Sequence, residues 1–145
     1  MKTVIIEGTG YKQAYDNPAG IDLPNKKLKS LENYDYGNGL LRGLMHTGIR
    51  LQMPDDMFAV IKPRSSAIKR GVQVIEGVLD SDYTGEVFIS FLCNEKFADY
   101  DLKDNEIKSF AQLVFYNKPQ IRLINGTITK ETARGDKGFG SSDKE

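Results

Sequence analysis

At 145 residues, with 39% hydrophobic and 28% charged side chains, the chain has the size and composition of one soluble domain able to bury a real core. Twenty lysines and arginines cancel twenty aspartates and glutamates, so no global field draws a nucleic-acid backbone and any phosphate recognition has to be local. The single cysteine rules out an intrachain disulfide, and no apolar stretch approaches a signal peptide or a membrane span, which places the chain in a soluble, cytoplasmic setting without a membrane partner.

Short apolar runs recur between turn signals: Val4–Ile6, Ile21–Leu23, Gly39–Leu44, Gly48–Met53, Met57–Lys62, Val72–Ile75, Val87–Cys93, Ala111–Tyr116 and Ile121–Ile124. Many of their residues are β-branched or aromatic, and Gly, Pro, Asn and Asp separate them, which predicts an all-β sandwich or barrel. All five prolines fall at run edges, where they remove no ladder hydrogen bond. The polar stretch Asn25–Asn38 reads as a surface loop with at most one irregular strand, its Tyr34 and Tyr36 packing the loop. Ser65–Gly71 is the one predicted helix, a turn or two capped by a serine and ended by Gly71. Cys93, inside an apolar strand, is expected as a buried thiol, and His46, beside Thr47-Gly48, as structural.

Five segments carry chemistry. Asp22 is a lone carboxylate in the apolar Pro18–Leu23 stretch, so it either supports a loop or faces a site. Lys62-Pro63-Arg64-Ser65-Ser66 puts a guanidinium and two hydroxyls beside a predicted helix start, a phosphate site unless the serines only cap. Gly77–Glu86 reads as a hairpin-like stretch with Asp80 and Asp82 on one face and Ser81 on the other. Its carboxylates either activate water or hold a metal, or simply stabilise the turn. Gln112 is a single amide in the apolar strand Ala111–Phe115. Last, Arg134–Ser142 is glycine-rich, with Phe139 between glycines and Ser141-Ser142 behind it; it is either a loose terminus or a lid for a ligand with a flat ring and an anionic tail.

In this order, Ala19–Leu23, Pro63–Ser66, Gly77–Glu86, Ala111–Leu113 and Arg134–Ser142 resemble the five motifs of the trimeric dUTP pyrophosphatases (dUTPases), and the resemblance spans nearly the whole chain. It implies an all-β, jelly-roll-like barrel of the β-clip type with one short helix, a barrel domain over residues 1–133 and a flexible lid over 134–145. Three copies would form a homotrimer with shared active sites. It also implies Mg²⁺-assisted hydrolysis of dUTP to dUMP and pyrophosphate, which removes dUTP from the DNA precursor pool and supplies dUMP for dTMP synthesis. A viral or phage member would do so in the host cell.

By the same resemblance Asp80 is the general base that deprotonates the water attacking the α-phosphorus. Arg64, Ser65, the Ser66 N–H and Gln112 hold phosphate, while Arg134, Gly140, Ser141 and Ser142 close on its far end. Phe139 stacks on uracil. Backbone groups of Gly77, Val78, Leu79 and Phe88 match the uracil edge, and Tyr83 lies under the deoxyribose. The metal is carried mainly by the triphosphate, with Asp22 at most an outer-shell partner through water.

Two positions depart from the family pattern. Ser66 stands where glycine is usual, and Ile107-Lys108-Ser109-Phe110 replaces Gly-Asp-Arg-Ile, which implies charge compensation nearby or a different subunit packing. A dCTP deaminase of related fold would need a glutamate on Phe88–Asn94, where Phe91 stands instead. A regulatory protein partner, engaged through the tyrosine-bearing loop Leu31–Gly39, is compatible with catalysis.

Overall fold

Alternation of buried and exposed side chains builds two antiparallel sheets. The computed structural model describes residues 1–138 other than Asn17, Tyr36 and Asn105. In chain order the strands are β1 (Ile5–Glu7), β2 (Gly20–Asp22), β3 (Lys27–Asp35), β4 (Leu40–Gln52), β5 (Met57–Pro63), β6 (Val72–Val74), β7 (Gly77–Asp80), β8 (Glu86–Asn94) and β9 (Ala111–Asn117). One sheet runs β1-β4-β8-β6 with β3 also on β4, and the other runs β2-β9-β5-β7. The sheets close face to face as a jelly-roll-like barrel, all-β as the sequence predicts.

Every second residue of β8, from Val87 to Cys93, is buried against the inner side of the second sheet, where Ala59, Ile61, Ala111 and Leu113 lie. Cys93 is among them, and burial pushes its thiol up to about 11, so it stays protonated. At the centre three fully buried rings, Phe91, Phe97 and Phe110, meet edge to face with centroids 5.3 to 6.4 Å apart. Gly43 lies opposite Phe91 across the β4–β8 ladder, and a Cβ there would overlap the Phe91 ring.

Several elements differ from the sequence expectation. Gly39–Leu44 and Gly48–Met53 are one strand, β4, which bulges between His46 and Arg50 instead of ending. Gly48 takes a φ of 69° there, and the buried Thr47 hydroxyl donates to the Val87 carbonyl while accepting from the Ile49 N–H. Most of the expected loop Asn25–Asn38 is β3, which includes Tyr34, whereas Tyr36 lies outside the described residues. The predicted helix shrinks to a 3₁₀ turn, Ile68–Arg70. Its cap position is Ala67, with no side-chain hydrogen bond, so neither serine caps it; Gly71 does end it, at a φ of 86°. A π-helical turn, Phe97–Asp101, had no sequence signal. Residues 118–138 carry no strand, and Ile121, Leu123, Ile124 and Ile128 are 72 to 89% exposed.

Glu86 ties the β4 bulge to β8. Its carboxylate meets His46 Nδ1 at 2.9 Å and accepts from the Gly48 N–H at 3.1 Å, which gives His46 the structural role expected of it. Burial opposes the charge, but His46 and the N–H groups of Gly48 and Thr47 outweigh it and hold the carboxyl below its ordinary value of 4.5. A depressed carboxyl stabilises the fold above its unfolded pKa, and that contribution is lost as pH falls through the lowered native one. Urea unfolding of Glu86→Gln should therefore show weaker pH dependence below pH 4.5 than the parent protein. Gly43→Ala should cost about 1–3 kcal/mol from overpacking, and Phe91→Leu in the same chain should return part of it.

Candidate active site

The first cluster forms where β5 ends. The Arg64 N–H donates to the Phe110 carbonyl at 2.9 Å and the Ala67 N–H to the Arg64 carbonyl at 3.0 Å, a backbone turn that carries Ser65 and Ser66. Arg64 reaches outward to Asp22, Nε to Oδ1 at 3.3 Å, and donates from Nη1 to the Ser109 carbonyl at 3.2 Å. Strand register puts Asp22 opposite Gln112 and Gln112 opposite Lys62, one row across β2, β9 and β5 on the outer face. The Gln112 amide donates to the Pro63 carbonyl at 3.0 Å. Alongside, a cleft of about 800 Å³ is lined by Lys12, Lys26, Arg64 and Lys108 against Asp22 and Glu106. The chain has no net charge, but this corner gathers cations, as local recognition of an anion requires.

The second cluster sits at the far end of the same sheet. Gly77–Glu86 is not a hairpin: β7 pairs with β5 and β8 with β4 and β6, so the segment carries the chain from one sheet to the other. Asp80 ends β7, exposed, and its carbonyl accepts the Tyr83 N–H at 3.1 Å to close a turn. The Tyr83 hydroxyl donates to the Glu86 carbonyl at 2.6 Å, and the residue stays 42% exposed. As the outer strand of its sheet, β7 has backbone groups of Gly77–Leu79 facing no neighbouring strand. A Cβ on Gly77 would meet nothing within 4 Å, so the chain's own packing does not demand that glycine. Ser90 gives its carbonyl to the Ile75 N–H at 2.8 Å, and strand alternation turns the backbone groups of Phe88 to that same side, beyond the end of β6.

The two clusters do not meet within one chain. Asp80 faces Phe58, and Arg64 lies six residues further along the extended strand, about 20 Å away at ~3.3 Å per residue. Arg134 is exposed and donates from Nε to the Lys137 carbonyl at 2.6 Å. Phe139, Gly140, Ser141 and Ser142 lie outside the described residues. Among the described residues no three His, Cys, Asp or Glu side chains gather to cage a metal ion. Asp22 already faces a guanidinium, a geometry that fits contact with a hydrated cation through water rather than direct ligation.

Sequence reading passed over three residues that hold these clusters. Arg50 donates to the Thr84 carbonyl at 2.8 Å and so pins the Asp80 turn to β4. The Ser109 hydroxyl donates to the Leu23 carbonyl at 2.7 Å, joining β2 to the start of β9. Arg70 reaches the departure Ile107–Phe110, with Nη1 on the Ser109 carbonyl and Nη2 on the Lys108 carbonyl, each at 2.9 Å. Phe91, where a deaminase would need its glutamate, is core.

The dUTPase family model matches residues 11–143. The deoxyuridine 5'-triphosphate nucleotidohydrolase of Clostridium novyi is 34% identical, over 96% of this chain and 97% of its own. That of swinepox virus is 30% identical, over 83% and 88%. Among solved structures, Staphylococcus bacteriophage 80alpha dUTPase with dUPNHPP aligns at a TM-score of 0.73 and 17% identity, over 96% of this chain and 97% of its own. The native EIAV dUTPase aligns at 0.61 and 21%, over 89% and 100%. At those identities the structural matches speak for the fold alone.

Proposed function

The chain belongs to the dUTPase family and is a nucleotide hydrolase, and from that premise we propose that it converts dUTP to dUMP and pyrophosphate in sites shared by three copies of itself. One observation carries the shared site: register sets Asp80 opposite Phe58, six residues before Arg64, which at ~3.3 Å per residue separates them by about 20 Å on one chain. Both are needed at the α-phosphate, so the Asp80 end of one subunit has to face the Arg64 end of another. The uncovered Val78, Ile121, Leu123 and Ile124 are apolar surface for that assembly.

In the assembled site Asp80 takes a proton from a water molecule. The resulting hydroxide attacks the α-phosphorus, the bond to the bridging oxygen of the β-phosphate breaks, and pyrophosphate leaves. Arg64, Ser65, the Ser66 N–H and Gln112 orient the phosphates, and Asp22 would meet a triphosphate-bound Mg²⁺ at most through water. When bound, that cation offsets charge on the phosphate oxygens. The free backbone edge of Gly77–Leu79 with Phe88 reads the uracil. Cytosine presents a donor where uracil accepts, which leaves backbone groups of that edge unpaired. Tyr83, its hydroxyl already engaged, forms a fixed plate under the sugar with no space for a 2′-hydroxyl. Arg134, Phe139, Gly140, Ser141 and Ser142 fold over the nucleotide as a lid.

Two experiments test this reading. Pyrophosphate release should be fast from dUTP and slow from dTTP, dCTP and UTP, and Asp80→Asn should lower the dUTP rate by about 10²–10⁴-fold; equal rates for parent and variant would overturn the role of Asp80. Removing Arg134–Glu145 should abolish turnover while sedimentation still reports a trimer. A monomer in that experiment would mean the tail builds the assembly rather than the lid.

A further inference from the structure

Two guanidinium groups share one carbonyl beside the phosphate corner. The Ser109 oxygen accepts from Arg64 Nη1 at 3.2 Å and from Arg70 Nη1 at 2.9 Å, filling both of its lone pairs. The two arginines are otherwise unlike. Arg70 also donates to the Lys108 carbonyl at 2.9 Å and to Asp101 at 3.2 Å, lies 5.7 Å from the Phe97 ring centroid, and has a side chain only 16% exposed. It stands on the 3₁₀ turn closed by Gly71, held from every side. Arg64 has a side chain 31% exposed and shares only Asp22 and Ser109. Its backbone is fixed by Phe110 and Ala67, so its side chain is the part free to move.

We propose that Arg70 is a positioning residue for nucleotide binding: it keeps the half-buried Ser109 carbonyl hydrogen-bonded, so that Arg64 can turn from that carbonyl to a phosphate without stranding an acceptor. The inference rests on the reading of Arg64 as a phosphate ligand. Leaving a half-buried acceptor without a protein donor carries part of the desolvation penalty of a buried one, whereas exchanging one of two donors for solvent or phosphate carries little. Arg70 thus makes the Arg64 contact exchangeable. Three of its five N–H groups already meet protein acceptors, one on each nitrogen, which holds its guanidinium more firmly than that of Arg64.

The test is a cycle of Arg70→Gln and Arg64→Gln, read by steady-state turnover of dUTP and by calorimetric titration with the imido analogue dUpNHpp. In the parent background Arg70→Gln should raise KM for dUTP and Kd for the analogue roughly five- to a hundredfold. It should leave kcat within about twofold, because the stranded carbonyl burdens ground state and transition state alike. In the Arg64→Gln background, where no arginine has to leave Ser109, the same change should move Kd by less than about twofold. Arg70→Lys, which keeps one donor for Ser109, should recover part of the affinity. An equal loss in both backgrounds would show a merely structural role, and an unchanged Kd in the parent background would overturn the proposal outright. Should Arg70→Gln fail to fold, Asp101→Asn loosens the same guanidinium and should give a smaller KM increase that again vanishes with Arg64→Gln; its absence in the parent background counts against the proposal. A parent protein that neither binds the analogue nor releases pyrophosphate would overturn the functional reading beneath it instead.

Discussion

The edge-to-face cluster of Phe91, Phe97 and Phe110 is the constraint on which the other contacts depend. Each ring comes from a different piece of chain: β8, the π-helical turn, and the residue before β9. Such a cluster tolerates little displacement, because its rings fill the space that Gly43 leaves empty and each has its edge on a neighbour's face. Fixing Phe110 fixes the start of β9. Its carbonyl then receives the Arg64 N–H, and Ser109 beside it receives both arginines. The aromatic core and the polar corner therefore meet at two adjacent residues, Ser109 and Phe110.

From that corner the second sheet works as a ruler. Register places Asp22, Gln112 and Lys62 in one row at one end of the sheet and Asp80 at the other. Neither end can reach across, since an extended strand does not bend back on itself over six residues. The two clusters are consequently held on separate surfaces, and rigidity rather than flexibility is what separates them. Asp22, Gln112 and Asp80 stand on strands, which hold side chains more precisely than loops do, and Arg64 follows directly on the end of β5.

Most core strands were legible because their apolar residues alternate or run together against the interior, as in Met57–Pro63 and Glu86–Asn94. β3 was legible only as room for one irregular strand, which its two register shifts match, since Lys27–Asp35 is exposed along nearly its whole length and buries no face that would impress a period on the sequence. The opposite error befell Ile121–Ile124, an apolar run with no strand partner in its own chain. The Gly77–Glu86 stretch has the composition of a hairpin, and only the pairing of its two arms with different sheets distinguishes it from one. Among the site residues, Asp80, Arg64 and Gln112 announce themselves within short motifs. Arg50 and Arg70 act on backbone carbonyls 34 to 39 positions away, and a carbonyl leaves no mark on a sequence.

The long strand β4 has a consequence for how the chain comes to be folded. It pairs with β1 and β3, which precede it, and with β8, which ends only at Asn94. During synthesis, then, β4 stands with one edge unpaired until most of the chain has emerged. The ring cluster beneath it waits longer still, for Phe110. Nonlocal pairing of this kind makes folding late and slow, and it prolongs the time in which a thirteen-residue edge strand is open to the wrong partner. The bulge at Thr47–Gly48, which breaks the regularity of that edge, limits how far a stray strand could extend along it.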